Sequence, residues 1–571
     1  MPQGTRKKPF SGKAKRQQLQ IKKQRQNPTL STASHSRDSG ESSNDIDDFA
    51  YGVQKINKQP KDGNSSKNRY ALQFFQETKE ELMKRREDAN RTIQCLSYEE
   101  LEVSDDYFPS EIDMPKRPPW DFNMTKQQLE LREQKYFTEY LKEMRKVDNI
   151  SYFELNLETW RQLWRVLEMS DILLFIIDIR YTVLMFPPYL YHHITKELNK
   201  DMILILNKVD LAPPALVVAW KEYFHEMYPK LHILLFTSYP TYNLHGNTSE
   251  TEGLKMSRRK GKLIMAAEGA QKLLDTCNEI VGDQVDLTSW HKKIQDELQM
   301  EFSLDEIDHK DSVTITKEDT SYFKHEQYKN GVLTIGCIGC PNVGKSSLMN
   351  ALMGKKVVSV SRTPGHTKHF QTIFLTKNVC LCDCPGLVFP SIVPKELQIL
   401  MGSFPIAQVR EPYSTIKFLA ERVNLPKILN LQHSGREDTW SAMDICEHWA
   451  IKRNFVTARV GRPDTYRAAN ALLRMALEGK ICMYVYPPNW GVSKENWEDH
   501  PEVEFVRWIQ ARNKAEDVNE GRRVSVSSEE EDTDEHSEID SNEESDDSNN
   551  TSDDESKIRV VNKFEILSAD L

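Results

Sequence analysis

No stretch of the 571-residue chain approaches the roughly 20 apolar residues that a helix needs to cross a bilayer, so no membrane partner is expected. No secretory leader is expected either, because the first residues carry charge where such a signal needs a hydrophobic core. The nine cysteines are odd in number and scattered without a frame, which argues against a disulfide scaffold and suits a reducing compartment. Basic residues are lacking between 529 and 555, where fifteen Asp and Glu occur, and acids are lacking from residues 1–25, which hold nine Lys and Arg. The acidic run outweighs the formal net charge of -10, so the remainder of the chain is net positive. That Ser-rich tail cannot bury enough apolar surface to order itself, and Ser527 and Ser528 ahead of Glu529, Glu530 and Glu531 suit acid-directed phosphorylation. The basic arm fits nuclear or nucleolar import, with shuttling to the cytoplasm, or an RNA backbone; the alternative is a solvated tail. No DNA specificity is expected.

With 38% hydrophobic and 28% charged residues, the chain can form two or three domains with real cores. Residues 1–68 are polar and aperiodic and read as a disordered arm. Residues 69–165 turn helical: within 127–146, Leu129, Tyr136, Phe137, Tyr140 and Leu141 recur at helical spacing, and a second such run covers 152–167. These helices are expected to pack on the domain that follows. From 166 to 394, uninterrupted apolar runs at 172–177, 202–206, 232–236, 332–338, 370–375 and 379–382 alternate with helical sequence. That pattern predicts an α/β domain, a doubly wound and mostly parallel sheet covered on both faces. Residues 241–330 interrupt it with a polar stretch bearing Arg258, Arg259, Lys260 and Lys262, read as an insertion or linker. A smaller, mainly helical domain is expected over 395–510, with a candidate strand at 481–486, and 511–571 forms the acidic disordered tail.

The strongest chemical signal is Gly339-Cys340-Pro341-Asn342-Val343-Gly344-Lys345-Ser346, a phosphate-binding loop between an apolar strand and the amphipathic run that opens with Ser347. Its glycines let backbone N–H groups and a helix N-terminus face phosphate. Lys345 then supplies a point charge to the β- and γ-phosphates, and the Ser346 hydroxyl ligates Mg²⁺. Downstream, Asp383-Cys384-Pro385-Gly386 closes a strand where an acid can orient the Mg²⁺ shell, through water, and a glycine N–H can sense the γ-phosphate. Between them, Ser361-Arg362-Thr363-Pro364-Gly365-His366-Thr367 offers Thr367, with Thr363 as runner-up, to complete the metal site. Lys345, Thr367 and Gly386 are the candidate catalytic groups.

Base identity is read elsewhere. Asn207-Lys208-Val209-Asp210 follows the second strand, where loops at carboxyl ends of parallel strands bind ligands. Asp210 can accept from the N1–H and 2-amino groups of guanine, which adenine lacks. Asn207 can reach O6 or brace the loop, and Lys208 can lie along the ring. One strand later, Thr237 and Ser238 are placed against the base edge. The base reader thus precedes the phosphate loop, whereas ordinary small GTPases put the phosphate loop first. This is a circular permutation, and the close termini of compact domains allow it. Leu387 follows Gly386 where many GTPases have a water-positioning glutamine. Unaided hydrolysis is therefore expected to be slow, on the order of 10⁻⁴ to 10⁻² s⁻¹.

In motif order and in the runs Pro341-Asn342-Val343-Gly344-Lys345-Ser346-Ser347, Thr363-Pro364-Gly365-His366-Thr367 and Asp383-Cys384-Pro385-Gly386-Leu387, residues 110–510 resemble the permuted GTPases of the YlqF/YawG group. The resemblance implies GTP and GDP as ligands, Mg²⁺, and a hydrophobic residue, here Leu387, in place of the catalytic glutamine. It also implies potassium, because Asn342 stands where the potassium-linked asparagine of such relatives does, and ribosomal RNA or a pre-ribosomal particle as partner. The chain departs from the group in Asp178-Ile179-Arg180-Tyr181-Thr182, where many relatives end on proline, and in Tyr239 after Ser238. A switch in ribosome or ribonucleoprotein assembly is the first reading; a GTP-binding scaffold or regulatory protein without important turnover is the alternative. Cys337 and Cys340 have CxxC spacing, with Cys380, Cys382 and Cys384 on a neighbouring strand, but a metal there would distort the phosphate loop. Arg467, Arg474 and Lys480 fit RNA or a solvated helix face equally.

Overall fold

The computed structural model describes residues 78–97, 99–103, 107–121, 123–237, 262–301, 326–354, 358, 371–433, 439–457 and 461–511, apart from the side chains of 262–268, 297–301, 508 and 511. The basic arm, the acidic tail with Ser527 and Ser528, and the side chains of the cluster at 258–262 lie outside the described residues.

Six strands form one sheet in the order β3-β2-β1-β4-β6-β5, where β1 is Ile172–Asp178, β2 Asp201–Asn207, β3 His232–Leu235, β4 Leu333–Ile338, β5 Gln371–Thr376 and β6 Val379–Asp383. All pairings are parallel except β5 with β6. The seven residues of β1 are all buried, as an apolar run sandwiched between helix layers must be. The β5 strand lies at the sheet edge and alternates instead, with Ile373 and Leu375 inward and Phe374 outward. The strand that bears the phosphate loop, β4, is central. The strands that precede it in sequence lie on one side and those that follow it on the other, so the two halves meet at the β1–β4 pairing. That placement makes the circular permutation visible in the topology: the chain leaves one edge strand, β3, and re-enters at the middle. The fold is a mostly parallel, permuted P-loop GTPase sheet with helices.

Helices cover the sheet for sequence-legible reasons. Asn156 caps Leu157–Met169 by accepting from the Glu158 N–H, and the buried Trp160, Leu163, Trp164 and Val166 form its inner stripe. Its contact with β4 is close enough that a Cβ on Gly336 would overlap Val166 and the Ser170 hydroxyl. Pro214–Met227 opens on proline and buries Leu216, Val217, Trp220 and Phe224. The stretch expected as an insertion or linker carries two helices, Lys262–Val281 and Thr288–Glu301. Ala270, Leu273, Leu274, Cys277, Trp290 and Ile294 are buried in the main core, Gly269 lies against the Phe236 ring, and the Ser289 hydroxyl bonds Thr376 of β5. The polar residues that flank these helices conceal an apolar stripe that belongs to the sheet.

The N-terminal helices divide. Lys126–Met144 is tied to the helix after it through Glu133, which holds Arg117 at 2.9 Å and Arg161 at 2.7 Å. Lys79–Ala89, opened by a Thr78 capping box, packs instead on the distant helix Tyr413–Arg422, where Lys417 donates to the Asp88 carbonyl. Helices Tyr413–Arg422, Ala442–Lys452 and Thr465–Leu477 pack on one another. Residues 481–485 are buried and Tyr486 is half-buried, but they form no strand, only an isolated bridge between Tyr486 and Glu102. Their backbone groups go to loops and a side chain: Val485 N–H donates to the Arg180 carbonyl and the Trp220 indole donates to the Val485 carbonyl. An apolar run reads as a strand, yet here burial comes without a neighbouring ladder.

Candidate functional site

Parallel pairing puts the carboxyl ends of five strands along one edge. Asp178 lies opposite Asn207, and Cys337 opposite Asp383. Phe236 N–H donates to the Leu206 carbonyl, which holds the loop after β3 against the end of β2. The loops therefore stand in the order Thr237, Asn207 to Asp210, Asp178, phosphate loop, Asp383 to Gly386.

The phosphate loop is a run of unusual backbone. Gly339 has φ 149°, Asn342 59° and Gly344 103°. A Cβ on Gly339 would strike the Ile176 carbonyl, so only glycine fits there. Gly344 then opens the helix Lys345–Met353. The buried Lys345 ammonium donates to the carbonyls of Gly339 at 2.9 Å and Cys340 at 2.8 Å, and burial pushes its pKa down. Ser346 and Ser347 occupy the first helical turn and are half-buried. Gly386 rests on the same loop: a Cβ there would come within 2.7 Å of the Pro341 Cα and 3.2 Å of the Lys345 ammonium. Leu387 N–H donates to the Gly339 carbonyl while its side chain is buried in the core. Asp383 is fully buried, and burial pushes its carboxyl up to about 6 against the pull of Lys345. Gln371 donates to one of its oxygens at 3.3 Å; the other, Oδ1, has no hydrogen-bond partner among the described residues.

The base-side loop is stitched to the phosphate loop across more than 130 residues of sequence. Asn207 Nδ2 donates to the Val343 carbonyl at 2.6 Å. Lys208 adopts a left-handed φ of 60°, which turns its ammonium to the Asn342 carbonyl at 2.7 Å and Asp178 at 2.8 Å. Asp210 is buried in the short turn Val209–Leu211, and the Thr237 hydroxyl, one strand away, is buried without a partner among the described residues. The Asn342 amide donates to the Gly402 carbonyl at 3.0 Å. The geometry thus brings Asn207, Lys208, Asn342, Val343, Gly344, Lys345, Asp383 and Gly386 together, with Asp210 and Thr237 on the flanking loops. Ser238, Thr363 and Thr367 lie outside the described residues.

Two participants escaped the sequence reading. Asp178 and Arg180 appeared only as a departure from a motif, yet they form the bracket that holds Lys208. Burial alone raises the Asp178 pKa, but the charges of Arg180 and Lys208 outweigh it and hold the carboxyl well below the usual range. The signal was an acid ending an otherwise apolar strand on the ligand edge. Of the cysteines near the loop, Cys337, Cys340, Cys380, Cys382 and Cys384 are all buried free thiols, and burial pushes Cys340 up to about 12.

The family described as 50S ribosome-binding GTPase matches residues 334–423, which contain the phosphate loop and the Asp383 to Gly386 turn. Over 546 residues the chain is 45% identical to guanine nucleotide-binding protein-like 1 of Mus musculus, covering 89% of this chain and 90% of that relative. The chain belongs to the guanine nucleotide-binding protein-like 1 family. A more distant relative is GTPase LSG1-2 of Arabidopsis thaliana, 29% identical over 468 residues, 78% of this chain and 73% of that protein. GNP-bound YlqF from T. maritima is 17% identical with a TM-score of 0.32, covering 58% of this chain and 98% of that one. Like other guanine nucleotide-binding protein-like 1 chains, this one is a member of a GTP-binding GTPase family. Among the described residues no helix is long and apolar enough to cross a membrane.

Proposed function

We propose that the protein is a slow GTPase that acts as a nucleotide-driven switch in ribosome or ribonucleoprotein assembly, at work in the nucleus or nucleolus. The observation that carries the nucleotide reading is the row of loops on one sheet edge, where Asn207 and Lys208 are bonded directly to the phosphate loop. The description of the matched family as a 50S ribosome-binding GTPase supports the ribosomal side.

In this reading Asp210 accepts from the guanine N1–H and 2-amino groups, and adenine leaves the buried carboxylate unpaired. Thr237 and Ser238 line the base edge, and Asn207 and Lys208 fix the base loop to the phosphate loop. Backbone N–H groups from Asn342 to Ser347 face the phosphates at a helix N-terminus. Lys345 moves its charge from the loop carbonyls to phosphate oxygens. The Asp383 carboxylate, whose Oδ1 has no partner among the described residues, and the Ser346 hydroxyl would hold Mg²⁺, with Thr367, outside the described residues, as the third ligand called for, and Asn342 would hold a potassium ion. Held there, Mg²⁺ would supply neutralisation of phosphate charge. Gly386, packed on Pro341, reports the γ-phosphate through its N–H. With Leu387 buried, nothing at that position orients water, so turnover waits for a partner that supplies a polar or cationic group.

The domain reading follows: residues 166–394 act as the GTPase unit and 395–510 as a helical domain moved by the switch. Its lever is the segment after Gly386, where Glu154 N–H donates to the Val388 carbonyl and Ser151 N–H to the Ser391 carbonyl. Single-turnover hydrolysis with and without ribosomal particles, alongside sedimentation of the protein locked with a non-hydrolysable GTP analogue, tests the proposal. The expected result is co-sedimentation with GTP-analogue and not GDP, with faster hydrolysis on the particle. Nucleotide-independent sedimentation, or a rate the particle leaves unchanged, contradicts the switch.

A further inference from the structure

Arg180, two residues beyond β1, is fully buried. A guanidinium cannot shed its charge and carries five donors in a rigid fork, so at such depth each donor needs an acceptor. Two go to one carboxylate: Nε to Oδ1 of Asp178 at 3.0 Å and Nη2 to Oδ2 at 2.8 Å. The outward side of the fork reaches almost 300 residues along the chain, with Nη1 donating to the Ala476 carbonyl at 2.8 Å and Nη2 to the Leu477 carbonyl at 3.3 Å. These carbonyls close the helix Thr465–Leu477, where intrahelical donors run out and a cation is favoured. The same helix end meets the pocket twice more. Gly479, at φ 78°, backs onto Leu211 beside Asp210, and Leu477 presses on Gly402, whose carbonyl receives the Asn342 amide.

We propose that Arg180 is a positioning residue for base recognition: it ties Asp178, and through it Lys208, to the carboxyl end of Thr465–Leu477, so that guanine binding and docking of that helix stabilise each other. The inference rests on the guanine-nucleotide reading and adds a regulatory route to it. Coupling of this kind is reciprocal, so whatever pulls on the helix weakens nucleotide binding by the factor that nucleotide strengthens docking.

Hydrogen exchange of the full chain with and without GDP, with ADP as control, tests it on the wild type and on Arg180→Lys, whose single ammonium cannot span both the carboxylate and the helix end. GDP is expected to slow exchange at residues 472–485 by about 10-fold in the wild type. Arg180→Lys is expected to lose that protection and to bind GDP about 10-fold more weakly, chiefly through faster release. Protection confined to the nucleotide loops, or Arg180→Lys with wild-type affinity and protection, overturns the proposal. If Arg180→Lys does not fold, the wild-type protection pattern decides alone. A wild-type chain that binds GDP no better than ADP sinks the guanine reading itself, and this inference with it.

Discussion

The two sides of the ligand edge are built on different principles. The phosphate side, between β4 and β6, is local: glycines with positive φ, a helix start and the Lys345 ammonium all come from one short run, and Gly386 closes on it by direct backbone contact. The base side is assembled from afar. Asn207 and Lys208 hold the phosphate loop, Asp178 and Arg180 hold Lys208, and the end of Thr465–Leu477 holds Arg180. Gln510 adds two bonds to the carbonyls of Val209 and Ala212. In the proposed reading the contrast teaches that triphosphate affinity is set by a contiguous segment, while base identity rests on elements spread over about 300 residues and is the part open to control.

The contrast breaks first at Lys345. Replacing it with alanine removes a charge-assisted contact to phosphate that any nucleotide uses, and affinity is expected to fall about 100-fold for guanine and adenine nucleotides alike, as read by calorimetry. Asp210→Asn should instead act on the base alone. Its amide keeps one acceptor oxygen and loses the second, which guanine needs, but gains an NH2 that can donate to the 2-oxygen of xanthine, so GDP affinity is expected to drop about 10- to 100-fold while xanthosine diphosphate gains. An equal loss for both bases would place Asp210 outside the base site. A smaller effect is expected from Gly479→Ala, which puts a side chain at φ 78° against Leu211. It should cost roughly 1–2 kcal/mol in thermal unfolding and weaken GDP binding a few-fold, with no change in the relative effect of Lys345→Ala.

The smallest expected effect on nucleotide binding comes from Glu154, whose N–H donates to the Val388 carbonyl in the segment after Gly386 and whose influence falls on stability instead. Burial raises the Glu154 carboxyl to about 8, against the opposing pull of the Asn156 and Leu155 N–H groups and the Thr159 hydroxyl. Between its ordinary 4.5 and about 8 the unfolded chain has lost a proton that the folded chain keeps, so stability falls as pH rises through that window. The slope is at most about 1.4 kcal/mol per pH unit. Glu154→Gln should flatten that slope and melt above the wild type near pH 8, with near-equal melting near pH 5. Parallel melting curves across that range would show that Glu154 does not titrate between these limits.

Much of the sheet was legible because its signals are periodic and local. The runs at 172–177 and 202–206 are apolar throughout, as strands buried on both faces must be, and each motif sits at a strand end where a loop can meet a ligand. The two helices within 262–301 were not legible, because their apolar stripe is diluted by polar flanks and pays off only against Phe236 and β5. Residues 481–486 misled for the converse reason: burial against Arg180 and Trp220 gives an apolar run without a ladder. Arg180 stood out only as part of a motif departure, with nothing to mark its role. A lone arginine after a strand looks like surface, and only a helix end brought from 296 residues away turns it into a buried clamp.

Displacement of a fluorescent GDP from the wild-type protein by unlabelled GDP and by ADP tests the central claim most directly, that Asp210 and Lys345 serve one pocket. The account predicts competition by GDP at concentrations on the order of 10³-fold lower than any by ADP. Equal displacement by the two would contradict it.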